Sequence, residues 1–192
     1  MASIKRLSQT LLIFLGMVAG LAVGWLWPQI GIKLKPLAII LMGSKADLEH
    51  CNKIAEACKQ FGIETALRIG SAHKTAEHAL AILREYEADP HPKVYITVAG
   101  RSNALSGFTD GAVSAPVIAC PPPSDSFGGA DVYSSLRMPS GVAPALVMEP
   151  VNAALFAAKM FGQFDAEIKA AVAAFQRKQA EKILQDDKDV RG

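Results

Sequence analysis

The chain has 192 residues, 51% of them hydrophobic and 20% charged, with a formal net charge of +2 at pH 7. That length supports one domain with a sizeable core, and the composition excludes a disordered or collagen-like protein. The near-balanced charge, with no block of lysine and arginine to track a phosphate backbone, argues against nucleic acid as a partner. The three cysteines, Cys51, Cys58 and Cys120, have no CxxC spacing. They read as free thiols in a reducing compartment rather than a disulfide framework or a zinc site.

Residues 1–36 read as a hydrophobic leader. The run "LLIFLGMVAGLAVGWLW", residues 11–27, carries no charge, follows Lys5 and Arg6 and stops at Pro28. Its length sits at the bottom of the roughly 17–25 residues that span a bilayer. Gly16, Gly20 and Gly24 form a small-residue stripe suited to helix packing in lipid. No small-x-small cleavage site with a polar lead-in follows, so membrane contact through residues 11–27 is expected over a removed signal peptide. Lys33 and Lys35 on the far side cancel any orientation signal. The stretch "GLAVGWLWPQIGIKLKPL" loosely resembles the first helix of sodium–dicarboxylate symporters.

From Leu37 onward one unit repeats: an apolar β-rich run, a small-residue loop, then an amphipathic helix. "LAIILM" (37–42) leads into "GSKAD" and a helix in which Leu48, Cys51, Ile54, Cys58 and Phe61 recur at spacings of three and four, with Gly62 as its stop. "IETALRI" (63–69) leads into "GSAHK" and a helix from about Thr75 to Ala88, ended before Pro90 and Pro92. "KVYITVA" (93–99) leads into the loop "GRSNALSG", and "APVIAC" (115–120) into a long proline- and glycine-rich loop through Gly141. "VAPALVM" (142–148) precedes a helix beginning near Pro150. Alternating strands and helices predict an α/β domain over 37–165 with a parallel sheet covered on both faces. Residues 166–192 read as a structural C-terminal helix with a charged, fraying end.

In such a fold the ligand sits beyond the carboxyl ends of the strands, where every one of these loops lies. "MGSKAD" offers Gly43 for close backbone approach, Ser44 as a helix cap and Asp47 three residues later. A capping box explains that pattern without a ligand, whereas a phosphate and ribose site uses the same groups for binding. "SAHK" sets His73, whose imidazole can accept and give a proton, beside the cation Lys74 at a helix start. His50, His78 and His91 lack that setting and read as surface residues. "AGRSNALSG" (99–107) can offer N–H and hydroxyl donors from Gly100, Arg101 and Ser102 to a carboxylate, or can be a plain turn. "PPPSDSFGGADVYSSLRMPSGV" is long enough to be a lid or a subunit contact.

Taken together, "MGSKADLEHC", "FGIETALRIGSAHK", "VAGRSNALSG", "PVIACPPP", "GGADVYSSLRMPSGV" and "AALFAAKMFG" closely resemble the aminoimidazole ribonucleotide carboxylase family of purine biosynthesis. "SAHK" and "GRSN" resemble its carbon dioxide-using branch; the mutase branch usually has arginine after the histidine and a glycine-rich loop with its own histidine. The resemblance implies a flavodoxin-like three-layer α/β sandwich, a homo-octamer, cytoplasmic residence (with or without tethering by the leader), and no cofactor or metal. It implies that Gly43, Ser44, Asp47 and Ser71 bind substrate, with Ser44 and Asp47 holding phosphate and ribose. By the same likeness Lys74 binds the phosphate and His73 shuttles the proton, while Gly100, Arg101 and Ser102 surround the carbon dioxide, Ser102 binding it. The implied reaction is carboxylation of 5-aminoimidazole ribonucleotide at C4 with carbon dioxide, reversible and independent of ATP. The alternatives are the N5-carboxyaminoimidazole ribonucleotide mutase and a non-catalytic, membrane-tethered nucleotide-binding protein. Two departures stand out: Ala46 replaces a common second serine, and Ala76 replaces a common proline.

Overall fold

The computed structural model describes residues 34–192, so the expected membrane segment at residues 11–27 lies outside the described residues. Strands β1 (Leu37–Met42), β2 (Glu64–Ile69), β3 (Lys93–Val98), β4 (Val117–Ala119) and β5 (Ala145–Leu146) form one all-parallel sheet in the order β2-β1-β3-β4-β5. The helices are α1 (Leu48–Gln60), α2 (Ala76–Glu87), α3 (Ala104–Asp110), α4 (Pro150–Phe161) and α5 (Ala166–Arg191).

β1 shows why both faces must be covered, because alternate side chains of a strand point to opposite faces. Ala38, Ile40 and Met42 join Cys51, Ile54 and Cys58 of α1, Phe161 of α4 and Ile168 of α5. Ile39 and Leu41 join Ile82 and Leu83 of α2 and Leu105 of α3. The result is the expected flavodoxin-like three-layer sandwich. All three cysteines are buried free thiols, and burial pushes each up to about 12.

Local chemistry sets the element ends. α1 stops at Gly62, whose φ of +73° suits glycine, with Gly62 N–H donating to Lys59 O and Ile63 N–H to Cys58 O. α5 starts at Asp165, whose carboxylate accepts from the N–H groups of Glu167 (3.0 Å) and Ile168 (3.2 Å). Its first turns pack on the core through Ile168, Val172 and Phe175, the last with its ring edge-on to Phe61 at 5.4 Å. The C-terminal helix runs to Arg191, where Arg191 pairs with Asp187 and Gln185 with Asp189 one turn apart. No helix among the described residues is long and apolar enough to cross a membrane.

Two expected loops are partly helical. "AGRSNALSG" turns into α3 at Ala104, with Asn103 as its cap. Gly107 lies inside that helix, and a Cβ there would meet Met138 Sδ at 2.9 Å. The long segment after β4 contains a 3₁₀ stretch, Ser126–Ser135, kinked where Phe127, Gly128 and Gly129 all have positive φ.

The strand register aligns the functional loops. Met42, the last residue of β1, pairs with Ile69 and Val98, the last residues of β2 and β3, and Thr97 pairs with Ala119 of β4. The loops after β2, β1, β3 and β4 therefore leave the sheet side by side. The chain winds outward from β1 to β2, then crosses back to β3, so the crevice between β1 and β3 is the topological switch point. Gly70 lets α2 start close to the end of β2: a Cβ there would lie 3.2 Å from Ala79 Cα and Cβ. A Gly70→Ala variant is expected to lose about 1–3 kcal/mol in chemical denaturation as α2 shifts away.

Candidate active site

The loop after β1 begins at Gly43, whose N–H donates to Val98 O at 2.9 Å. A Cβ on it would meet Ala99 Cβ at 3.5 Å, so the loops after β1 and β3 touch at their roots. Ser44 is extended and exposed, and a 3₁₀ turn, Lys45–Asp47, follows. The capping box considered for this loop does not form, since neither Ser44 nor Asp47 caps the helix backbone. Instead the Ser44 hydroxyl donates to Asp47 Oδ2 at 3.2 Å, placing a hydroxyl and a carboxylate together at the start of α1.

The loop after β2 is a turn closed by its own hydrogen bonds. Gly70 N–H reaches back to Met42 O, Ser71 N–H donates to Thr75 Oγ1 (3.0 Å), and Lys74 N–H donates to Ser71 Oγ (3.2 Å). Ser71 thus shapes the bend, and the side chains of His73 and Lys74 are exposed. Neither has a hydrogen-bond or ion-pair partner among the described residues. Ala76 is the first residue of α2, a position that tolerates proline because its N–H has no intrahelical acceptor. Ala46 sits exposed within the 3₁₀ turn.

The loop after β3 is the strained one. Arg101 is exposed with φ +58°, left-handed for a residue with a Cβ, which costs on the order of 1–3 kcal/mol. Ser102 is exposed, whereas Asn103 is 2% exposed. Asn103 N–H donates to Ser134 Oγ (2.9 Å), its Nδ2 to Ser135 Oγ (2.9 Å), and its Oδ1 accepts from Ser106 N–H (3.3 Å). Gly100, Arg101, Asn103, Pro122, Asp131 and Ser135 line a cavity of about 190 Å³ between this loop and the segment after β4.

Of the expected site residues, only Gly100 and Arg101 line that cavity. Gly43, Ser44 and Asp47 lie on the adjoining loop, and Ser71, His73 and Lys74 on the one beyond it. With parallel strands spaced about 4.8 Å apart, the roots of the outer two loops are separated by about 10 Å. The row thus combines an imidazole, two cations (Lys74 and Arg101), a hydroxyl–carboxylate pair and a concave wall. Such a set can hold an anionic ligand and move a proton.

Sequence reasoning missed Asn103 and Ser135. Asn103 was legible as an asparagine directly before an apolar helical run, a capping signal. Ser135 had no local signal, because its partner is far away in the chain. His50, expected at the surface, is half-buried in α1, its Nε2 3.5 Å from Cys120 Sγ. His91 is also half-buried and pairs with Asp89. The Cys120 thiol also lies 3.4 Å from Met148 O.

Burial holds the His50 imidazole below its ordinary value, assisted by Lys53 and opposed by the Cys120 backbone, Asp47 and Glu149. The unfolded chain therefore binds a proton at His50 more readily than the folded one. Stability is expected to fall as pH drops below about 6.5 and the unfolded state takes up that proton. Denaturant midpoints measured from about pH 7.5 to about pH 5 should fall less steeply in a His50→Gln variant than in the parent.

The AIR carboxylase family model matches residues 37–182. The phosphoribosylaminoimidazole carboxylase of Treponema denticola is 63% identical over 154 residues, covering 80% of this chain and 97% of that protein. The Archaeoglobus fulgidus protein of the same name is 53% identical over 154 residues, 80% and 84% of the two chains. The human bifunctional phosphoribosylaminoimidazole carboxylase/succinocarboxamide synthetase is 49% identical over 124 residues, 65% of this chain but 29% of that one. A crystal structure of Treponema denticola PurE, 61% identical, superposes with a TM-score of 0.81 over 82% of this chain and all of the other. The level row of loops at the switch point and these likenesses agree: the chain belongs to the AIR carboxylase family and is an enzyme of purine biosynthesis.

Proposed function

We propose that the chain carboxylates 5-aminoimidazole ribonucleotide at C4 with carbon dioxide, reversibly and without ATP. The observation that carries the reading is the placement of "SAHK" and "GRSN" on loops flanking the one that bears Ser44 and Asp47, all leaving the sheet at one level. The aminoimidazole ring is an enamine, nucleophilic at C4, so carbon dioxide needs no prior activation. The protein must orient two weakly held reactants, stabilise the new carboxylate and take the proton left on C4. Positioning can contribute about 7–11 kcal/mol and a general base about 10²–10⁴-fold.

In this reading Lys74 holds the phosphate, Ser44 and Asp47 the phosphate and ribose, and Ser71 keeps the bend in shape. His73 moves the C4 proton, and Gly100, Arg101 and Ser102 receive the carbon dioxide. Anchoring the phosphate supplies binding energy remote from the reacting carbon. We place the reaction in the cytoplasm, in a homo-octamer. Phe127, Tyr133 and Leu136 are 86%, 62% and 56% exposed on one short segment, an apolar surface that further copies would cover.

The test uses the full chain with aminoimidazole ribonucleotide and bicarbonate, no ATP, and separately with the N5-carboxylated nucleotide. C4-carboxylated product from the first mixture, above the uncatalysed rate, is the expected result. Product from the second alone would assign the chain to the mutase reaction. A folded chain that binds the nucleotide and turns over neither would be a non-catalytic binding protein. Fractionation of cells expressing the full chain reads out its location and any tethering by residues 11–27.

A further inference from the structure

We propose that Asn103 and Ser135 form a latch that positions the Gly100–Ser102 loop for the carbon dioxide half of the reaction, acting as positioning residues rather than catalytic ones. The inference rests on the function proposed above. The loop contains Arg101 in the left-handed region, a conformation that relaxes unless its surroundings hold it. Those surroundings are the segment after β4. Asn103 sends its backbone N–H to Ser134 Oγ and its side-chain amide to Ser135 Oγ. Ser134 Oγ lies 2.7 Å from Asp131 O and 3.2 Å from Arg101 O, so the same hydroxyl spans both sides.

Both ends of the Asn103–Ser135 bond are 2% exposed, so the bond is shielded from bulk solvent. An asparagine is required in particular. Its Oδ1 accepts from Ser106 N–H to start α3 while its Nδ2 donates across to Ser135. Aspartate at this position could cap α3 but has no proton to donate to Ser135. The latch joins the two walls of the 190 Å³ cavity, since Arg101 and Asn103 line one and Asp131 and Ser135 the other. The nucleotide-holding groups, Ser44, Asp47 and Lys74, lie on other loops with no hydrogen bond to the latch among the described residues. Disturbing it should therefore separate the two substrates.

The test compares Ser135→Ala and Ser135→Thr in the full chain, with kinetics in both nucleotide and bicarbonate, nucleotide binding by calorimetry, and thermal unfolding. Ser135→Ala removes the acceptor and leaves the α3 cap intact. Ser135→Thr keeps the hydroxyl, and its methyl has the neighbouring cavity to enter. The expected result for Ser135→Ala is a drop of about 10²-fold in kcat/KM for carbon dioxide, with nucleotide Kd unchanged and activity recovered in Ser135→Thr. Unchanged kinetics in Ser135→Ala would overturn the proposal. So would parallel losses of nucleotide affinity and thermal stability that Ser135→Thr does not rescue, which would mark a merely structural contact. If the parent chain itself makes no product, the proposed function fails, and hydrogen exchange at residues 100–103 then decides the latch. Faster exchange in Ser135→Ala supports it, and unchanged exchange overturns it.

Discussion

Replacing His73 with asparagine is expected to lower turnover of aminoimidazole ribonucleotide by about 10²–10⁴-fold, the usual range for a general acid–base group. Asparagine keeps a polar side chain of similar reach but cannot exchange a proton near neutral pH. The fold should be indifferent to the change, because His73 is exposed and makes no hydrogen bond among the described residues. Nucleotide affinity should also hold, since Lys74, Ser44 and Asp47 are untouched. Steady-state rates, calorimetric nucleotide binding and a melting curve separate these three effects. A variant that kept full activity would remove His73 from proton transfer and leave Lys74 as the reason for the exposed bend.

Truncating Phe161 to alanine should cost about 3–5 kcal/mol of stability, read from the denaturant midpoint with the m-value unchanged. Phe161 ends α4 with 2% exposure and sits in the cluster that joins β1 to α1, α4 and α5. Its backbone oxygen accepts from Asp165 N–H at 2.9 Å, so it also fixes the turn into α5. Rigid helix packing on both sides limits collapse around the lost ring. The matched control is Phe164, 67% exposed and edge-on to Phe161 at 6.1 Å. Phe164→Ala should shift stability by no more than about 0.5 kcal/mol, as for most surface substitutions. Equal losses at the two positions would mean that the α4–α5 turn, not the buried ring, carries the energy.

Much of this molecule was readable in one dimension because the interactions that set it are local. Leu48, Cys51, Ile54, Cys58 and Phe61 announced α1 by spacing, and Gly62 marked its end because a left-handed residue without a Cβ costs least there. The runs at β1 and β3 read as buried strands because parallel strands covered on both faces are largely apolar. Alternation of those runs with helices implied loops at one end of a parallel sheet, which is where His73, Lys74, Ser44 and Arg101 lie.

The remaining features depend on partners far apart in sequence, where no pattern records them. His50 read as a surface residue because its helical position is peripheral, yet the end of β4 brings Cys120 against it. Gly107 read as a loop glycine, although its reason is the approach of Met138 to α3. Ser44 and Asp47 spelled a capping box, but the 3₁₀ turn between them directs the hydroxyl to the carboxylate. The sequence by itself determined the layered α/β architecture, the free thiols and the chemistry-bearing loops, because periodicity, strand length and residue type are properties of short segments. Only the tertiary structure decided that those loops stand level beside one another, that Arg101 is held left-handed, and that Asn103 is clamped by Ser135, because register and packing are settled between segments once the sheet has closed.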